Sequence, residues 1–435
     1  MFDDLFAVAG FRFEEHVSLR KADVLARHSW VGSDPLDLHA DVDRSAADIE
    51  KFAGRRDAEN YRAFAAQTAS VFATLDRTFM RAPRPNPVTL TMAAAPLGLK
   101  RLLETTPFDT LWRSLDRRFD DPRLRQLFSR YATYCGSNPF EAPATLALIA
   151  HAERMGVWLL DGGMQALADA LLTVAKSRGC DCHFDTEVAE ITTDTKRTVG
   201  VVLADGRQLQ ADAVIFNGDT NALADGLLGA TVDRATKARR EPSLSAITRA
   251  QVARPTGFEL AHHNVFFCDD YTAEFDAIFK QARLPREPTV YLCAQSRPGY
   301  GDAGSATAGG TEPLFSLINA PARELSTTEV DEACVALNEM LERHGLQIED
   351  DAAPPSVTTP NDFARLFPAS RGALYGRPTH GWFGSFRRPG SRSRVPGLYL
   401  AGGSVHPGAG VPMASLSGQL AADRLLEDAR GGAFR

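Results

Sequence analysis

The spacing of apolar positions in the first third of the chain predicts short strands followed by helices. Residues 1–48 alternate between apolar and polar and contain several turn residues, which is typical of short strands. Between residues 49 and 79 the apolar positions recur at helical spacing, so we expect one long helix there. Pro122 follows two aspartates, an arrangement that favours the first turn of a further helix. Residues 49–155 are therefore predicted to form a helical subdomain.

The pattern changes at Gly156, where apolar runs bounded by glycines replace the helical spacing. Residues 156–193 predict a strand, a glycine turn, a helix and a second strand, which together form an α/β unit. A hairpin that turns at Asp205–Gly206 is expected next, and a buried strand at 213–216 follows it. Mainly β character then continues until the chain returns to an α/β pattern at Gly397.

Together these elements predict an α/β fold of three parts. A discontinuous Rossmann-like domain is expected from residues 156–235 and 386–435, because both segments combine strands with helices. A mixed β-sheet substrate domain, residues 1–48 and 236–385, is expected as an insertion into it. The helical subdomain, residues 49–155, completes the arrangement.

The composition limits the class of partner. The chain has 435 residues and a net charge of -7, so it has no basic excess to neutralise phosphates, and we expect no nucleic-acid partner. Its 6 cysteines are scattered and form no CxxC motif, so no zinc site of closely spaced cysteines is expected. This pattern favours a reduced, intracellular protein with buried thiols.

We expect no signal peptide, because the acidic opening of the chain has no basic n-region and no apolar run of h-region length. We expect no transmembrane helix, because no apolar run reaches the roughly 20 residues that a bilayer requires. Residues 85–103 come nearest, but Pro96 and Gly98 interrupt them. Two interpretations stay open for this segment: a surface element that dips into a bilayer, or a buried helix of the helical subdomain. The basic residues that flank its apolar part are Arg81, Arg84, Lys100 and Arg101.

The stretch "GLYLAGGSVHPGAGVPMASLSG", residues 397–418, predicts a strand, a glycine turn and a helix. Gly402 and Gly403 allow a ligand to approach the backbone closely, since glycine has no Cβ. Pro412 suits the first helical turn, whose free N–H groups stabilise negative charge. His406 either hydrogen-bonds a ligand or only holds the turn in place. An ordinary glycine-rich turn remains an equally open interpretation.

Other motifs carry less information. Gly162–Gly163 before a helix and the strand at Val188 are ordinary features when each is taken alone. His262 and His263 are adjacent on a predicted strand and would point to opposite faces, so no metal site is predicted. The chain contains no GxSxG, HExxH or P-loop motif, and hydrolases and NTPases therefore lack support.

Taken together, several stretches resemble the bacterial phytoene desaturase family of carotenoid flavoenzymes, and within it the 1-hydroxycarotenoid 3,4-desaturases. The terminal stretch "LYLAGGSVHPGAGVPMASLSG" is the most specific of them, whereas the paired glycines occur in many folds. The resembling stretches follow the order of the family over nearly the whole chain: residues 121–153, 156–171, 211–219, 262–279, 371–376 and 398–418.

The resemblance implies a non-covalent FAD and a reaction that introduces a C=C bond into a carotenoid, by 3,4-desaturation of a 1-hydroxy- or 1-methoxycarotenoid. By resemblance, Val188 would pair with the adenine. His406, taken from the residues of the turn themselves, is the candidate for a catalytic residue. Because carotenoids reside in the bilayer, a cytoplasmic protein on the surface of the inner membrane is implied. The residues that would lie along the flavin are Gly402, Gly403, Gly410, Val411, Pro412 and Met413.

The chain departs from the family pattern at its start. Family members open with an apolar strand and a GxGxxG loop, which receives the FAD pyrophosphate at a helix N-terminus. Here the opening residues, "MFDDLFAVAGFRFEEH", resemble sequence that normally lies downstream of that loop. We therefore expect the N-terminal βαβ unit of the FAD domain to be missing, and we expect this polypeptide to bind FAD poorly or not at all.

Two other functions stay open. An amine-oxidase-like flavoenzyme would end in the same strand–glycine–helix element, but usually with an acidic residue after the glycines, and Gly402–Gly403 has none. A non-catalytic protein that binds carotenoid or membrane is the other alternative, and the departure at the start of the chain supports it.

Overall fold

A computed structural model describes residues 1–88, 108–239, 241–297, 310–350 and 354–432. The helices in these residues are α1 (Phe2–Val8), α2 (Val42–Ala53), α3 (Arg55–Leu75), α4 (Leu111–Asp116), α5 (Pro122–Ser129), α6 (Leu148–Met155), α7 (Gly163–Ser177), α8 (Thr220–Ala224), α9 (Tyr271–Phe279), α10 (Thr327–Arg343), α11 (Pro360–Leu366) and α12 (Val411–Arg430). The strands are β1 (Leu19–Lys21), β2 (Val24–Ser29), β3 (Leu36–His39), β4 (Trp158–Leu160), β5 (Val188–Thr193), β6 (Thr198–Leu203), β7 (Gln208–Gln210), β8 (Val214–Phe216), β9 (Ser245–Thr256), β10 (His263–Phe266), β11 (Val290–Ala294), β12 (Glu312–Ala320), β13 (Gln347–Asp350), β14 (Ser356–Thr358) and β15 (Leu398–Leu400).

The chain divides into two compact units, and each unit is assembled from separate segments. Unit 1 contains residues 1–22, 157–239 and 389–435, and unit 2 contains residues 23–156 and 240–388. The predicted domain boundaries differ from this division in two ways. Residues 1–22 join unit 1, and the predicted helical subdomain, residues 49–155, lies in unit 2 together with most of the predicted substrate domain. The predicted roles of the parts, as FAD domain and substrate domain, stay predictions.

Unit 2 is organised around a mixed sheet, which among the described residues has eight strands in the order β13–β9–β12–β11–β10–β2–β3, with β14 also paired to β9. Strands β10 and β2 are parallel, whereas the other neighbours, such as β12 and β9, are antiparallel. Along β12 the side chains alternate strictly between buried and more exposed. Because side chains alternate across a strand, one face of this sheet is covered by the unit 2 core.

The helical part of unit 2 differs from the single long helix predicted for residues 49–79. Helix α2 ends at Ala53 and α3 begins at Arg55. Gly54 lies between them with φ +92, a conformation that no helix contains. That prediction was wrong because apolar spacing continues through Gly54 even though the backbone changes direction there.

The helix start predicted at Pro122 is confirmed. Helix α5 begins with Pro122, and the Asp121 carboxylate accepts a hydrogen bond of 2.8 Å from the Arg123 N–H. The buried carboxylate of Asp57 accepts two further bonds of 2.9 Å, from the N–H groups of Asp120 and Asp121. These bonds satisfy donors that precede and begin the helix, so α5 has a fixed starting point.

Aromatic side chains dominate the helical part of the unit 2 core. The ring of Phe128 lies 4.9 Å from that of Phe64 and 5.0 Å from that of Phe119, measured between centroids. Each of these rings is nearly or completely buried. Burying one such side chain contributes about 1.5–3 kcal/mol, so α3 and α5 are held together mainly by these contacts.

Unit 1 contains smaller sheets than unit 2. Strands β5, β6 and β7 form an antiparallel sheet, and the predicted hairpin at Asp205–Gly206 joins β6 to β7. Strands β8 and β15 form a parallel pair in which Leu400 lies opposite Phe216. The strand predicted as buried at 213–216 exists, but Ile215 at its centre is 43% exposed, so that expectation of burial was wrong.

Two hydrophobic clusters support unit 1. One lies around β8 and β15 and includes Ile191, Leu223 and Val405, all of them buried. The other lies between α1 and α7 and includes Phe6 and Val174. The α/β character predicted for this part of the chain is therefore present, with its apolar contacts divided between two separate clusters.

Most of the proposed membrane-docking segment, residues 85–103, lies outside the described residues, since the description stops at residue 88 and resumes at residue 108. Among the helices that are described, none combines the length and the hydropathy needed to cross a bilayer.

Candidate functional site

The candidate site lies where β8 and β15 of unit 1 end. Because the two strands are parallel, their carboxyl ends meet at the same edge. The N–H of Ala401 continues the pairing with a 3.0 Å bond to the carbonyl oxygen of Phe216. In open α/β sheets, ligands bind in the crevice beyond the carboxyl ends of such strands. The glycine turn, which we define as residues 402–410, begins at this point.

Gly402 occupies a position that only glycine fits. Its φ is +104, and a Cβ there would lie 2.6 Å from the side-chain oxygen of Asn217. Its N–H donates a 3.2 Å bond to the Ser417 hydroxyl, which ties the turn to α12. Gly403 differs, because a Cβ at this residue would meet only Ala409 at 3.6 Å. An added Cβ at Gly403 would therefore meet little of the protein, whereas the backbone at Gly402 is fixed by its neighbours.

Helix α12 begins at the end of the glycine turn. Gly410 precedes its first turn with φ +101, and among the described residues no side chain caps the helix there. Val411 and Pro412 are exposed, and Met413 is half-buried. Because the first N–H groups of a helix have no partner within the helix, they carry partial positive charge. The exposed apolar side chains and the partial positive charge of this helix start therefore suit an apolar ring on which negative charge develops.

His406 lies inside the glycine turn and is 2% exposed. Its N–H donates a 2.9 Å bond to the carbonyl oxygen of Pro389, and its peptide bond to Pro407 is cis. A side chain at this depth contacts the protein, so the structure favours the role of holding the turn. A catalytic role for His406 stays a prediction.

Val188 belongs to a different element from the glycine turn. It is the first residue of β5 and lies opposite Leu203 of β6. It is 38% exposed. The structure thus brings Gly402, Gly403 and the first turn of α12 into one element, and it places Val188 in a different sheet. Pairing of Val188 with an adenine stays a prediction.

Three polar residues of this site were not identified from the sequence. Asp219 follows β8, caps α8 through the Asn221 N–H at 2.8 Å, and accepts a 2.7 Å bond from buried Arg239. Ser404 accepts a 3.2 Å bond from the Thr220 N–H, which links the two strand ends. The signal for Asp219 and Ser404 was position alone, since each directly follows a predicted strand. Arg239 carried no such signal.

Unit 2 contains a second group of buried polar residues. Arg130 and Glu153 form an ion pair of 3.1 Å in which both side chains are nearly buried. The Tyr131 hydroxyl donates a 2.5 Å bond to the other oxygen of Glu153. Burial, reinforced by the negative charge of Glu153, raises the pKa of Tyr131 well above its ordinary value. The Tyr131 hydroxyl therefore keeps its proton near neutral pH and remains a donor to Glu153.

The two adjacent histidines of unit 2 do not point to opposite faces, so that expectation was wrong. His262 precedes β10, which begins at His263, and their ring centroids are 4.6 Å apart. The alternation rule applies within a strand, and His262 lies just outside it. Cys293 lies opposite His263 in the pairing of β10 with β11.

Comparisons with known proteins give similarities that extend over most of the chain. The model of the flavin-containing amine oxidoreductase family matches residues 60–426. The hydroxyneurosporene desaturase of Rubrivivax gelatinosus is 48% identical over 435 residues, which cover 98% of this chain and 82% of that protein. The enzyme of the same name from Cereibacter sphaeroides is 42% identical over 433 residues, covering 98% and 86%.

A solved structure supports the fold. An oxidoreductase from Methanosarcina mazei aligns with a TM-score of 0.52 at 15% identity, covering 94% of this chain and 82% of that one. The predicted α/β fold and the resemblance to carotenoid flavoenzymes are thus confirmed. The glycine turn and the start of α12, which has no side-chain cap, suit a flavin ring, and this placement stays a prediction. The chain belongs to the flavin-containing amine oxidoreductase family, and it is an FAD-dependent oxidoreductase.

Proposed function

We propose that this chain is a carotenoid desaturase, which introduces a C=C bond by 3,4-desaturation of a 1-hydroxy- or 1-methoxycarotenoid. The names of the two bacterial relatives, each matched over 98% of this chain, support the reaction. The observation that carries the proposal is the glycine turn. The stretch most specific for the resemblance is the same one that forms an open turn at the carboxyl ends of two parallel strands.

The residues of the turn have distinct tasks in this proposal. A bound flavin supplies the acceptor for the hydride that leaves the carotenoid. Gly403 allows the ring to approach the backbone, because a Cβ there would fill the open space. The N–H groups at the start of α12 favour negative charge on a ligand by about 0.3–1 kcal/mol. Val411, which is 50% exposed, offers apolar surface to the ring.

Replacing Gly403 by alanine tests this arrangement. The added methyl group meets only Ala409, at 3.6 and 3.9 Å, so the folded chain tolerates it. We expect the FAD affinity to fall at least about tenfold, since a ring in contact with Gly403 would clash with the new methyl. FAD is titrated into the protein, and binding is followed by flavin fluorescence. Desaturation is followed by the longer-wavelength absorption of the product and its loss of two hydrogens.

The matched control is Gly431→Ala, at the far end of the same helix, where a Cβ meets carbonyl oxygens at 3.5 Å. It should bind FAD and desaturate as the unaltered chain does. Unchanged FAD binding by Gly403→Ala would contradict the placement of the ring. Carotenoid binding without any product, at saturating FAD, would contradict the desaturase assignment and favour a non-catalytic carotenoid-binding protein.

We also propose that unit 2 docks on the cytoplasmic face of the inner membrane, where a carotenoid substrate resides. Support comes from an aromatic cluster, which we define as Phe79, Phe108, Trp382, Phe383 and Phe386. Phe108 is 79% exposed, Trp382 50% and Phe383 40%. Phe79 and Phe108 lie on either side of residues 85–103 in the chain, and each contacts the cluster, with centroids 5.4 Å from Phe386 and 5.7 Å from Trp382. Exposed tryptophan and phenylalanine are typical of surfaces that bind the interface of a bilayer.

Vesicle flotation tests the docking surface. The double variant Trp382→Ala/Phe383→Ala should reduce the fraction bound to phosphatidylglycerol vesicles by about fivefold, since it removes aromatic anchors. Trp158→Ala is the matched control, because Trp158 is also 50% exposed but lies in unit 1. Equal flotation of the two variants would exclude the aromatic cluster as the docking surface.

A further inference from the structure

Three side chains with nitrogen or sulfur ligand atoms meet at the start of β10 in unit 2. They are His262, His263 and Cys293, and one ligand atom from each lies within 4.8 Å of the other two. Cys293 is buried, while the two histidines are half-buried. The residues come from two neighbouring strands and the connection before them, so the pairing of β10 with β11 holds them together.

A second layer of contacts orients the two imidazoles. His262 Nδ1 donates a 2.9 Å bond to the carbonyl oxygen of Arg297, which places the lone pair of the neutral ring on Nε2. His263 Nδ1 lies 2.8 Å from the Tyr291 hydroxyl. The guanidinium of Arg297 is in turn held by Glu312 at 2.7 Å. Histidines that bind metals are oriented in this way, with one nitrogen bonded to the protein and the other directed to the ion.

The charges around the cluster are compatible with a cation. Arg130 is near enough to affect His263, but its charge is balanced by Glu153 at 3.1 Å. On binding, the thiol of Cys293 would release its proton, and the resulting thiolate offsets one charge of a divalent ion.

We propose that His262, His263 and Cys293 bind one Zn²⁺ ion, with the fourth position of a tetrahedron open to water. Two imidazoles and one thiolate suit a borderline metal, whereas Mg²⁺ and Ca²⁺ require oxygen ligands. Ligand atoms on a tetrahedral Zn²⁺ lie about 3.3–3.8 Å apart, so the cluster needs to contract by about 1 Å. The ion would fix the segment before β10 to β11.

Titration of the full chain with Co²⁺ tests the site, because a Co²⁺–thiolate bond absorbs strongly in the near ultraviolet. The titrated protein carries Ser in place of Cys180 and Cys182, since these two thiols of unit 1 are near each other and partly accessible. We expect a thiolate charge-transfer band that saturates at one Co²⁺ per chain and disappears when Zn²⁺ is added. Cys293→Ser should abolish the band, and His263→Gln should lower the affinity at least about tenfold.

Two further variants separate a metal site from a general loss of folding. Tyr291→Phe keeps all three ligands and should retain the band with an affinity about tenfold lower, because it removes the support of His263. Cys268→Ser removes another buried thiol of unit 2 and should leave the titration unchanged. Zn²⁺ should raise the Tm of the parent protein and leave that of Cys293→Ser unaltered. Absence of a band in the folded parent, or a band that persists in Cys293→Ser, would overturn the proposal.

Discussion

The sheets of the two units differ in how completely they are covered. At the centre of the unit 2 sheet, Val290, Leu292 and Ile318 are no more than 1% exposed. In unit 1, Ile215 on β8 and Val188 on β5 are 43% and 38% exposed, although both are apolar strand residues. The difference shows that the centre of the unit 2 sheet is packed into a core, whereas β5 and β8 of unit 1 leave apolar side chains in water.

The largest expected effect comes from the aromatic core of unit 2. Phe128→Ala should lower the free energy of unfolding by about 3–5 kcal/mol, because the buried ring contacts Phe64 and Phe119 and leaves a cavity. In unit 1, Ile215→Ala should cost less than about 1 kcal/mol, since its side chain is already partly in water. Urea unfolding, monitored by circular dichroism, measures both. Similar losses for the two variants would show that exposure does not distinguish the units.

A buried ion pair gives the next largest effect, and it lies in unit 1. Asp219→Asn should destabilise the protein by about 3 kcal/mol, because it leaves the buried Arg239 guanidinium without this carboxylate. The FAD affinity should fall as well, since Asp219 directly follows β8. Asp205→Asn, in an exposed pair with Arg207, should leave the unfolding curve unchanged. A stable Asp219→Asn variant would show that the polar residues after β8 do not support the site.

The smallest expected effect is a difference in how two carboxylates, one in each unit, make the stability of the protein depend on pH. In unit 2, burial raises the pKa of Glu274 above its usual 4.5. The folded state therefore binds this proton more tightly than the unfolded state, so the stability of the protein decreases as pH rises from 4.5 through the raised pKa. Glu274→Gln should remove that decrease, and its Tm relative to the parent should rise with pH over this window.

Asp194 of unit 1 should show the opposite sign. Its carboxylate accepts bonds from the N–H groups of Arg197 and Lys196 at 2.7 and 2.6 Å, and these bonds hold its pKa below the usual 3.8. Its contribution is present above pH 3.8 and is lost as pH falls through the lowered pKa. The Tm deficit of Asp194→Asn should thus disappear on acidification. Parallel pH profiles for the Glu274 and Asp194 variants would contradict both assignments.

Local signals predicted part of this structure. Proline and aspartate fixed the start of α5 at Pro122, and the glycine turn after β15 followed from a short apolar run and two glycines. The break at Gly54 was missed because the helical spacing of apolar residues continues on both sides of it and does not report the backbone angle of a single glycine. Local chemistry thus identifies where elements begin and turn when the relevant residues have strong preferences.

Long-range contacts could not be predicted. The proximity of Cys293 to His263 depends on the register of β10 with β11, which sequence spacing does not encode. The pairing of Asp219 with Arg239 likewise depends on packing within unit 1. The exposure of Ile215 depends on which strands lie beside β8. The three apolar residues of β8 form the same sequence pattern whether the strand is covered or exposed.

The order in which the strands leave the ribosome has a consequence for biogenesis. β8 is complete at residue 216, but its parallel neighbour β15 is synthesised only after all of unit 2, at residues 398–400. A nascent chain therefore presents an unpaired apolar strand throughout the translation of the second segment of unit 2, residues 240–388. Such strands invite intermolecular pairing, so chaperone occupancy during elongation should be greatest for this segment and should end when α12 emerges.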